Sequence, residues 1–221
     1  MKIPGITVIA CLLIVLFASC DQEQVENYDF IYDPCPDGPG GESGSIEIGL
    51  RNALKKEVCA KITRAELASI THLDASVRGF GWIDDQDAEV LQYCINLQVL
   101  NLSDYDGRMS HIRPLEGLVH LIDLNLFGHN IFDLHPLVGS QNLQRLNLYA
   151  NNVSDISTLQ VFGQLKELNL AKNRIVDLKP LVDNRGFSQG ATVDVSGNPL
   201  SGISKNQHIP ALEARGVIVK W

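Results

Sequence analysis

The sequence predicts an α/β solenoid, in which short parallel strands stack along one axis and the rest of each coil connects one strand to the next. The phrase Leu-x-x-Leu-Asn-Leu recurs around Leu124, Leu146 and Leu168, which are 22 residues apart. After each phrase, Ile or Val, Asp, and Leu or Ile recur in the same register. One coil of this size cannot bury its own leucines, so its neighbours must stack on it.

Looser copies extend the array on both sides. One copy contains Leu100 and carries an insertion before Met109, and a degenerate copy begins near Leu73. A last copy occupies residues 193–200. Together these give about six coils, which we place at residues 73–203.

Each coil is expected to have an inner and an outer face. In Leu-x-Leu the two leucines point to one side of a strand and the middle residue to the other. A recurring amide, at Asn151, Asn173 and Asn198, follows where the chain leaves the strand. Such an amide can donate to and accept from buried backbone groups. His129 and Tyr105 replace it in two coils, which we expect to be less regular.

The consensus Leu-x-x-Leu-x-Leu-x-x-Asn-x-Ile-x-Asp-Leu-x-Pro-Leu resembles the 22-residue class of leucine-rich repeats, which is found in internalins and many bacterial envelope proteins. The resemblance covers residues 46–221. It implies a leucine-rich-repeat solenoid with a short parallel β-sheet on its concave face. It also implies a protein that binds a partner and does not catalyse a reaction.

A helical cap is predicted at the N-terminal end of the array, at residues 46–72. Apolar residues four apart predict an amphipathic helix from Ile46 to Val58. A capping box formed by Thr63 and Glu66 predicts a second helical turn. This cap covers leucines that the first coil would otherwise expose.

Residues 204–221 predict a helix-strand cap at the other end. Ser204 is positioned to cap a helix whose Ile209 and Leu212 face inward. Gly216 can end that helix in the left-handed conformation. The last five residues then predict an edge strand.

Residues 1–19 have the order of an export signal. Lys2 precedes an apolar run at residues 6–18, and Ser19 stands before Cys20. A helix of that run would reach roughly 20 Å, which is short of the ~30 Å hydrocarbon core. We therefore expect this segment to be processed and not to span a membrane.

The stretch from Leu16 to Cys20 resembles the lipobox of bacterial lipoproteins. The resemblance implies that Cys20 is acylated and anchors the exported protein through its acyl chains. In that family, Asp after the cysteine often marks retention in the inner membrane, so Asp21 favours its periplasmic face. The outer membrane and the cell surface are alternatives, and ordinary secretion is a further one.

Residues 20–45 predict a lipidated cysteine followed by a disordered acidic tether. From position 21 this segment holds seven acidic residues and no Lys or Arg, with a Pro- and Gly-rich centre. Three cysteines would remain free of lipid. We predict a disulfide between Cys35 and Cys59, and a buried thiol at Cys94, which aligns with an inward-facing column.

The charge of the chain restricts the class of partner. The formal net charge is -8, and loss of residues 1–19 would remove one Lys and no acid, giving -9. Nucleic acid and anionic head groups both require a basic surface. We therefore expect no nucleic-acid partner.

The concave face carries the candidate site. Phe127 and Tyr149 are expected side by side on adjacent coils, flanked by Arg145 and by asparagines, as in a protein-binding hot spot. The alternative is that the two rings only stack on each other and cover the sheet. The predicted partner-binding residues are Asp123, Asn125, Phe127, Arg145, Asn147, Tyr149, Glu167 and Asn169.

No catalytic or metal motif is found, and no cofactor is predicted. Asp133, Asp155 and Asp177 form a column, with His111 in the equivalent place. We interpret these carboxylates as acceptors for backbone N–H groups in turns, in preference to a cation site.

Two functions are compatible with this pattern. In the first, the concave face binds another protein. In the second, Phe127 and Tyr149 stack on sugar rings, and the protein is a glycan or peptidoglycan receptor. A structural envelope protein without a defined ligand is a third, weaker alternative.

Overall fold

The computed structural model describes residues 30–32, 45–57, 60–76 and 83–221. The central element of this part is a parallel sheet of seven three-residue strands that lie in chain order. Its strands are β3 (His72–Asp74), β4 (Val99–Asn101), β5 (Asp123–Asn125), β6 (Arg145–Asn147), β7 (Glu167–Asn169), β8 (Thr192–Asp194) and β9 (Ile218–Lys220).

The strand leucines form one continuous row. Leu124 lies opposite Leu100 and Leu146, and Leu146 lies opposite Leu168. All four side chains are buried. Burial of one such side chain stabilises the fold by ~1.5–3 kcal/mol, and the stacked coils share this gain. The leucine-rich-repeat solenoid predicted from the sequence is therefore confirmed.

Short helical turns form the other side of each coil. They are the 3-10 turns Asp87–Tyr93, Arg113–Leu115, His135–Leu137 and Ser157–Val161, and the helix α3 (Lys179–Asp183). Three of them carry Pro in the first helical positions, where no backbone N–H is needed.

The inward asparagines hold adjacent coils together, as predicted. The amide of Asn173 donates to Leu148 O of the preceding coil at 2.8 Å. Its side-chain oxygen accepts from Val153 N of that coil at 2.9 Å. Asn151 and Asn198 make the equivalent bonds to their own preceding coils.

The prediction that Tyr105 occupies this inward position was wrong. Tyr105 is 84% exposed, whereas the preceding residue, Asp104, is buried. The Asp104 carboxylate accepts from Ile83 N at 2.9 Å, which is the acceptor role that asparagine has in other coils. The insertion in this coil shifts the inward position by one residue. His129 does point inward, and its Nε2 bonds Leu102 O at 2.7 Å.

The N-terminal cap contains α1 (Ser45–Leu54), β2 (Ile62–Thr63) and α2 (Arg64–Ser69). The predicted capping box is present, with Thr63 and Glu66 in reciprocal bonds. The first helix was predicted to reach Val58, but it ends at Leu54. Lys55 has a positive φ of 55°, and a left-handed residue terminates a helix. Val58 lies outside the described residues.

Part of the segment predicted as a tether is paired. Residues Phe30–Tyr32 form β1, which pairs antiparallel with β2. The prediction of an unstructured tether was therefore wrong for these three residues. Phe-Ile-Tyr is a run of strand-favouring residues inside an otherwise acidic segment. Cys20, Cys35 and Cys59 lie outside the described residues, so their lipidation and pairing remain predictions.

The C-terminal cap has the predicted helix and strand, with one correction. In α4 (Ile209–Ala214), Ile209 and Leu212 are buried, and Gly216 has a φ of 85°. Ser204 was predicted to cap the helix, but it lies in a preceding π-turn, Ser204–His208. Its hydroxyl accepts from Leu178 N at 3.0 Å, so it caps the neighbouring coil and not its own helix.

Cys94 has the environment predicted for it. Its thiol is buried and free, and burial raises its pKa to about 12. A thiol with such a pKa is not a nucleophile at neutral pH. Across the described ranges, no helix combines the length and apolarity that a membrane span requires.

Candidate functional site on the concave face

The concave sheet presents three columns of side chains. The strand register aligns Asp123 with Arg145 and Glu167, and we call these three residues the charged column. It also aligns the amide column, Asn125, Asn147 and Asn169. Phe127 and Tyr149 follow two residues after β5 and β6. All eight predicted residues therefore lie on one face, but the columns differ in their interactions.

The charged column is largely paired within itself. Arg145 Nε lies 2.7 Å from Asp123 Oδ2, and this hydrogen bond and charge raise the pKa of Arg145, with a smaller contribution from Glu167. Arg145 was expected to flank the aromatic rings. The structure instead directs it to Asp123, with the amide column between it and Tyr149. A half-exposed pair of this kind adds at most about 1 kcal/mol to stability.

The amide column fixes the backbone at the ends of the strands. The side-chain oxygen of Asn125 accepts from Phe127 N at 3.2 Å, and that of Asn147 accepts from Tyr149 N at 3.1 Å. Asn169 accepts from Ala171 N in the same way. These Asx turns determine where the following residues project. The asparagines therefore position the aromatic side chains.

The aromatic side chains form a longer array than the sequence indicated. Phe127 and Tyr149 stack with ring centroids 5.3 Å apart and an interplanar angle of 28°. Tyr105 packs edge-on against Phe127 at 4.8 Å. At the other end, Lys172 Nζ lies 5.1 Å from the centroid of Tyr149. We call Tyr105, Phe127, Tyr149 and Lys172 the aromatic ladder.

Sequence reasoning missed two members of the ladder. Tyr105 had been assigned to the inward column, because the insertion obscured the register of that coil. Lys172 follows Ala171, whose position in the column equivalent to Phe127 and Tyr149 suggested that the array ended there. Lys172 lies 22 residues after Ala150, which is one repeat, and this spacing indicates that the lysine follows the aromatic column on the same face.

The aspartate column on the opposite side has the structural role predicted for it. Asp133, Asp155 and Asp177 each accept a hydrogen bond from the backbone N–H two residues later, at 2.8–2.9 Å. No group of His, Cys, Asp or Glu suited to a metal ion is found in the described part of the chain.

A serine, a histidine and an aspartate meet near the insertion without forming a nucleophilic relay. Ser110 Oγ donates to Asp85 Oδ2 at 2.7 Å, and it lies 2.8 Å from His111 Nδ1. The same Nδ1 lies 3.1 Å from Asp85. In a catalytic triad the two imidazole nitrogens face different partners. Here one nitrogen faces both, so this cluster ties the residues after the insertion to the turn that leads into the 3-10 turn Asp87–Tyr93.

Comparison with known proteins supports the fold. No protein-family model matches the chain, and no curated protein matches it in sequence. An internalin (inlF) from Listeria monocytogenes is 26% identical, with a TM-score of 0.61, over 80% of this chain and 54% of its own. This chain therefore spans about half the length of that internalin structure.

Two more distant structures share the fold alone. A leucine-rich-repeat protein from Leptospira interrogans is 18% identical, with a TM-score of 0.59, over 71% of this chain and 38% of its own. The ectodomain of a plant receptor kinase from Arabidopsis thaliana was solved in complex with CASPARIAN STRIP INTEGRITY FACTOR 2. It is 16% identical, with a TM-score of 0.51, over 70% of this chain and 18% of its own. The chain thus has the leucine-rich-repeat fold, and its structural neighbours include internalin-type proteins.

Proposed function

We propose that this chain is a membrane-anchored interaction protein that binds a protein partner through its concave face. One structural neighbour, the plant receptor ectodomain, was solved in complex with CASPARIAN STRIP INTEGRITY FACTOR 2, which supports a binding role for this fold. The observation that carries the proposal is the aromatic ladder. It places an 84% exposed Tyr105 against the half-buried ring of Phe127, which in turn stacks on the half-buried ring of Tyr149 at the edge of the sheet. Exposed aromatic side chains on a fixed support are typical binding hot spots.

The geometry of the ladder gives less support to a glycan receptor. A sugar ring stacks on an open aromatic face. Phe127 and Tyr149 lie face to face with each other, Tyr105 adjoins Phe127, and Lys172 Nζ lies over the ring of Tyr149. The two central rings therefore have neighbours on both sides along the solenoid axis. Ring edges and Tyr105 remain for contact, which suits apolar protein side chains.

The stack also has a structural role, and this affects the choice of variants. An aromatic pair stabilises a fold by about 0.5–1.5 kcal/mol beyond the burial of its area. Replacing both Phe127 and Tyr149 by Ala would therefore lower stability as well as remove the site. Tyr105 is the cleaner probe, because its ring is exposed and, among the residues that the structure describes, its aromatic contact is with Phe127.

A photo-crosslinking experiment tests the proposal. A benzoylphenylalanine replaces Tyr105 in one variant and Phe132 in a second, and both are expressed in the native cells. Phe132 is the matched control, because it is 50% exposed and packs edge-on against His111 on the opposite side of the coil. We expect a discrete, protease-sensitive adduct from position 105 and none from position 132.

The outcomes separate the two functions. Loss of the adduct in a Phe127→Ala background would tie capture to the ladder. An adduct that resists protease but is removed by a glycan-cleaving enzyme would favour the glycan receptor. Equal labelling from positions 105 and 132 would contradict a concave-face site.

The anchor is a separate part of the proposal, supported by the sequence around Cys20. A diacylated or triacylated cysteine supplies the two or more chains that stable anchoring needs. Labelling with radioactive palmitate should mark the wild type and a Cys35→Ser control but not Cys20→Ser. The Cys20→Ser protein should leave the membrane fraction. Labelling that persists in this variant would refute the anchor without affecting the binding proposal.

A further inference from the structure

Lys172 has a backbone conformation that disfavours lysine. It has a φ of 54°, in the left-handed region, and so does Ala150 in the preceding coil. The equivalent residues in the two flanking coils are Gly128 and Gly197, with φ values of 82° and 72°. A left-handed residue other than glycine costs roughly 1–2 kcal/mol. A strained lysine where two other coils use glycine calls for a reason beyond stability.

The strained backbone directs the lysine along the ladder. Its aliphatic stem passes over Gly197, where an added Cβ would lie 3.3 Å from Lys172 Cγ. Its ammonium group then reaches 5.1 Å from the centroid of the Tyr149 ring. The side chain thus places a positive charge at the end of a row of three aromatic rings.

The lysine charge has no acidic partner within the described residues. The carboxylate in the following coil, Asp194, is already engaged: its Oδ2 pairs with Lys220 at 2.7 Å, and its Oδ1 accepts from Ser196. Lys172 itself is exposed, and it forms no ion pair with any residue that the structure describes. In a chain with a net charge of -8, an unpaired cation beside exposed aromatic rings is a specific local feature.

We propose that Lys172 is a recognition residue, and that the partner is an extended acidic protein segment whose carboxylate meets Lys172 while an adjacent apolar side chain packs on the ladder. This inference rests on the proposed function and specifies its partner. Charge complementarity is its basis, because a carboxylate is the protein group that pairs with an unpartnered ammonium. The apolar neighbour fits Tyr105 and the exposed edges of the stacked rings.

The size of the ladder agrees with a short segment. Three coil spacings of ~4.8 Å separate Tyr105 from Lys172, so the ladder is roughly 14 Å long. At ~3.3 Å per residue, four or five extended residues span that distance. The acidic residue and its apolar neighbour should therefore lie within about five positions of each other.

Peptide selection tests this inference. A random decapeptide library displayed on phage is selected against the immobilised protein, and the peptides recovered are measured against four variants. Tyr105→Ala and Phe127→Ala test the ladder, and Lys172→Gln removes the charge while shortening the side chain by one atom only. Ala150→Gly is the matched control, because it relieves the same left-handed strain one coil away without changing a charge.

The expected result is a set of ladder-dependent peptides in which Asp or Glu is enriched within five positions of an aromatic or aliphatic residue. Their affinity should fall about two- to fivefold for Lys172→Gln, as for other exposed ion pairs, and should not change for Ala150→Gly. The loss should shrink as salt is raised. A fifth variant, Lys172→Gly, should bind as weakly as Lys172→Gln yet melt no lower than the wild type.

Each other result overturns a defined part of the argument. Peptides that require Phe127 but show no acidic enrichment, and bind Lys172→Gln as well as the wild type, would refute the inference and leave the proposed function intact. A library that yields no ladder-dependent peptide would contradict both the inference and the proposed function. Binding of inorganic phosphate or a sulfated oligosaccharide that requires Lys172, without acidic peptides, would assign the lysine to a partner that is not protein. A large drop in melting temperature for Lys172→Gly would show that the lysine serves the fold.

Discussion

Replacing Asn173 by Ala should destabilise the solenoid strongly. The Asn173 amide donates to Leu148 O at 2.8 Å and to Leu170 O at 3.0 Å, and its oxygen accepts from Val153 N at 2.9 Å. Alanine leaves the buried N–H of Val153 without a partner, which costs about 1–3 kcal/mol. Loss of the two carbonyl bonds adds about 1 kcal/mol each, giving a total of roughly 3–5 kcal/mol.

Thermal unfolding followed by circular dichroism measures this effect, with Asn169→Ala as the matched control. At about 2–4 °C per kcal/mol for a chain of this size, Asn173→Ala should melt at least about 6 °C lower than the wild type. Asn169 accepts one bond, from Ala171 N, at a site that water can reach. We expect its replacement to cost at most about 1 kcal/mol. Equal losses for the two variants would refute the distinction between inward and outward asparagines.

Three further changes test local features of the coil. Ala150→Gly should raise the free energy of unfolding by about 1 kcal/mol in urea titrations, because glycine adopts the left-handed conformation without strain; a loss of stability would contradict this. Gly186→Ala should lower stability by about 1–3 kcal/mol, because the added Cβ would lie 2.2 Å from Gly163 O. Gly163→Ala is the control: its Cβ would meet no atom within 4 Å, so this change should be nearly neutral. Burial lowers the pKa of His129 below 6.5, so the unfolded chain binds more protons than the fold and stability should fall as pH drops below about 6.5. His129→Asn should flatten melting temperature between pH 5 and 8, and an unchanged pH profile would exclude this histidine as the cause.

The repeat period predicted most of the fold because it reports a constraint that every coil shares. Leu124, Leu146 and Leu168 must meet in one row, and a change of one residue would move them to the other face. The inward asparagines recur for the same reason, since each satisfies buried backbone groups of the preceding coil. Features repeated in register are therefore accessible from the sequence alone.

The features that the sequence did not predict are local departures from that period. The insertion after β4 transfers the inward position from Tyr105 to Asp104, and a consensus cannot locate such a shift of one residue. Ala150 and Lys172 do not themselves favour the left-handed conformation, so its only signal in the sequence is the glycine at the equivalent position of two other coils, Gly128 and Gly197. The pairing of β1 with β2 joins segments about 30 residues apart that lie outside the repeats.

The columns have different roles, and this explains why the departures from the repeat coincide with the candidate site. In each Leu-Asn-Leu strand the central amide accepts the backbone N–H two residues later, so this position is committed to the geometry of the strand end. The residue two positions after this amide is not fixed by the leucine row, and it differs from coil to coil as Phe127, Tyr149 and Ala171. A change of partner can therefore occur there without loss of the fold. Tyr105 and Lys172 lie one or two positions further along their own coils, and their side chains extend the row of rings at its two ends. The ladder is therefore where recognition can be specific while the solenoid remains constant.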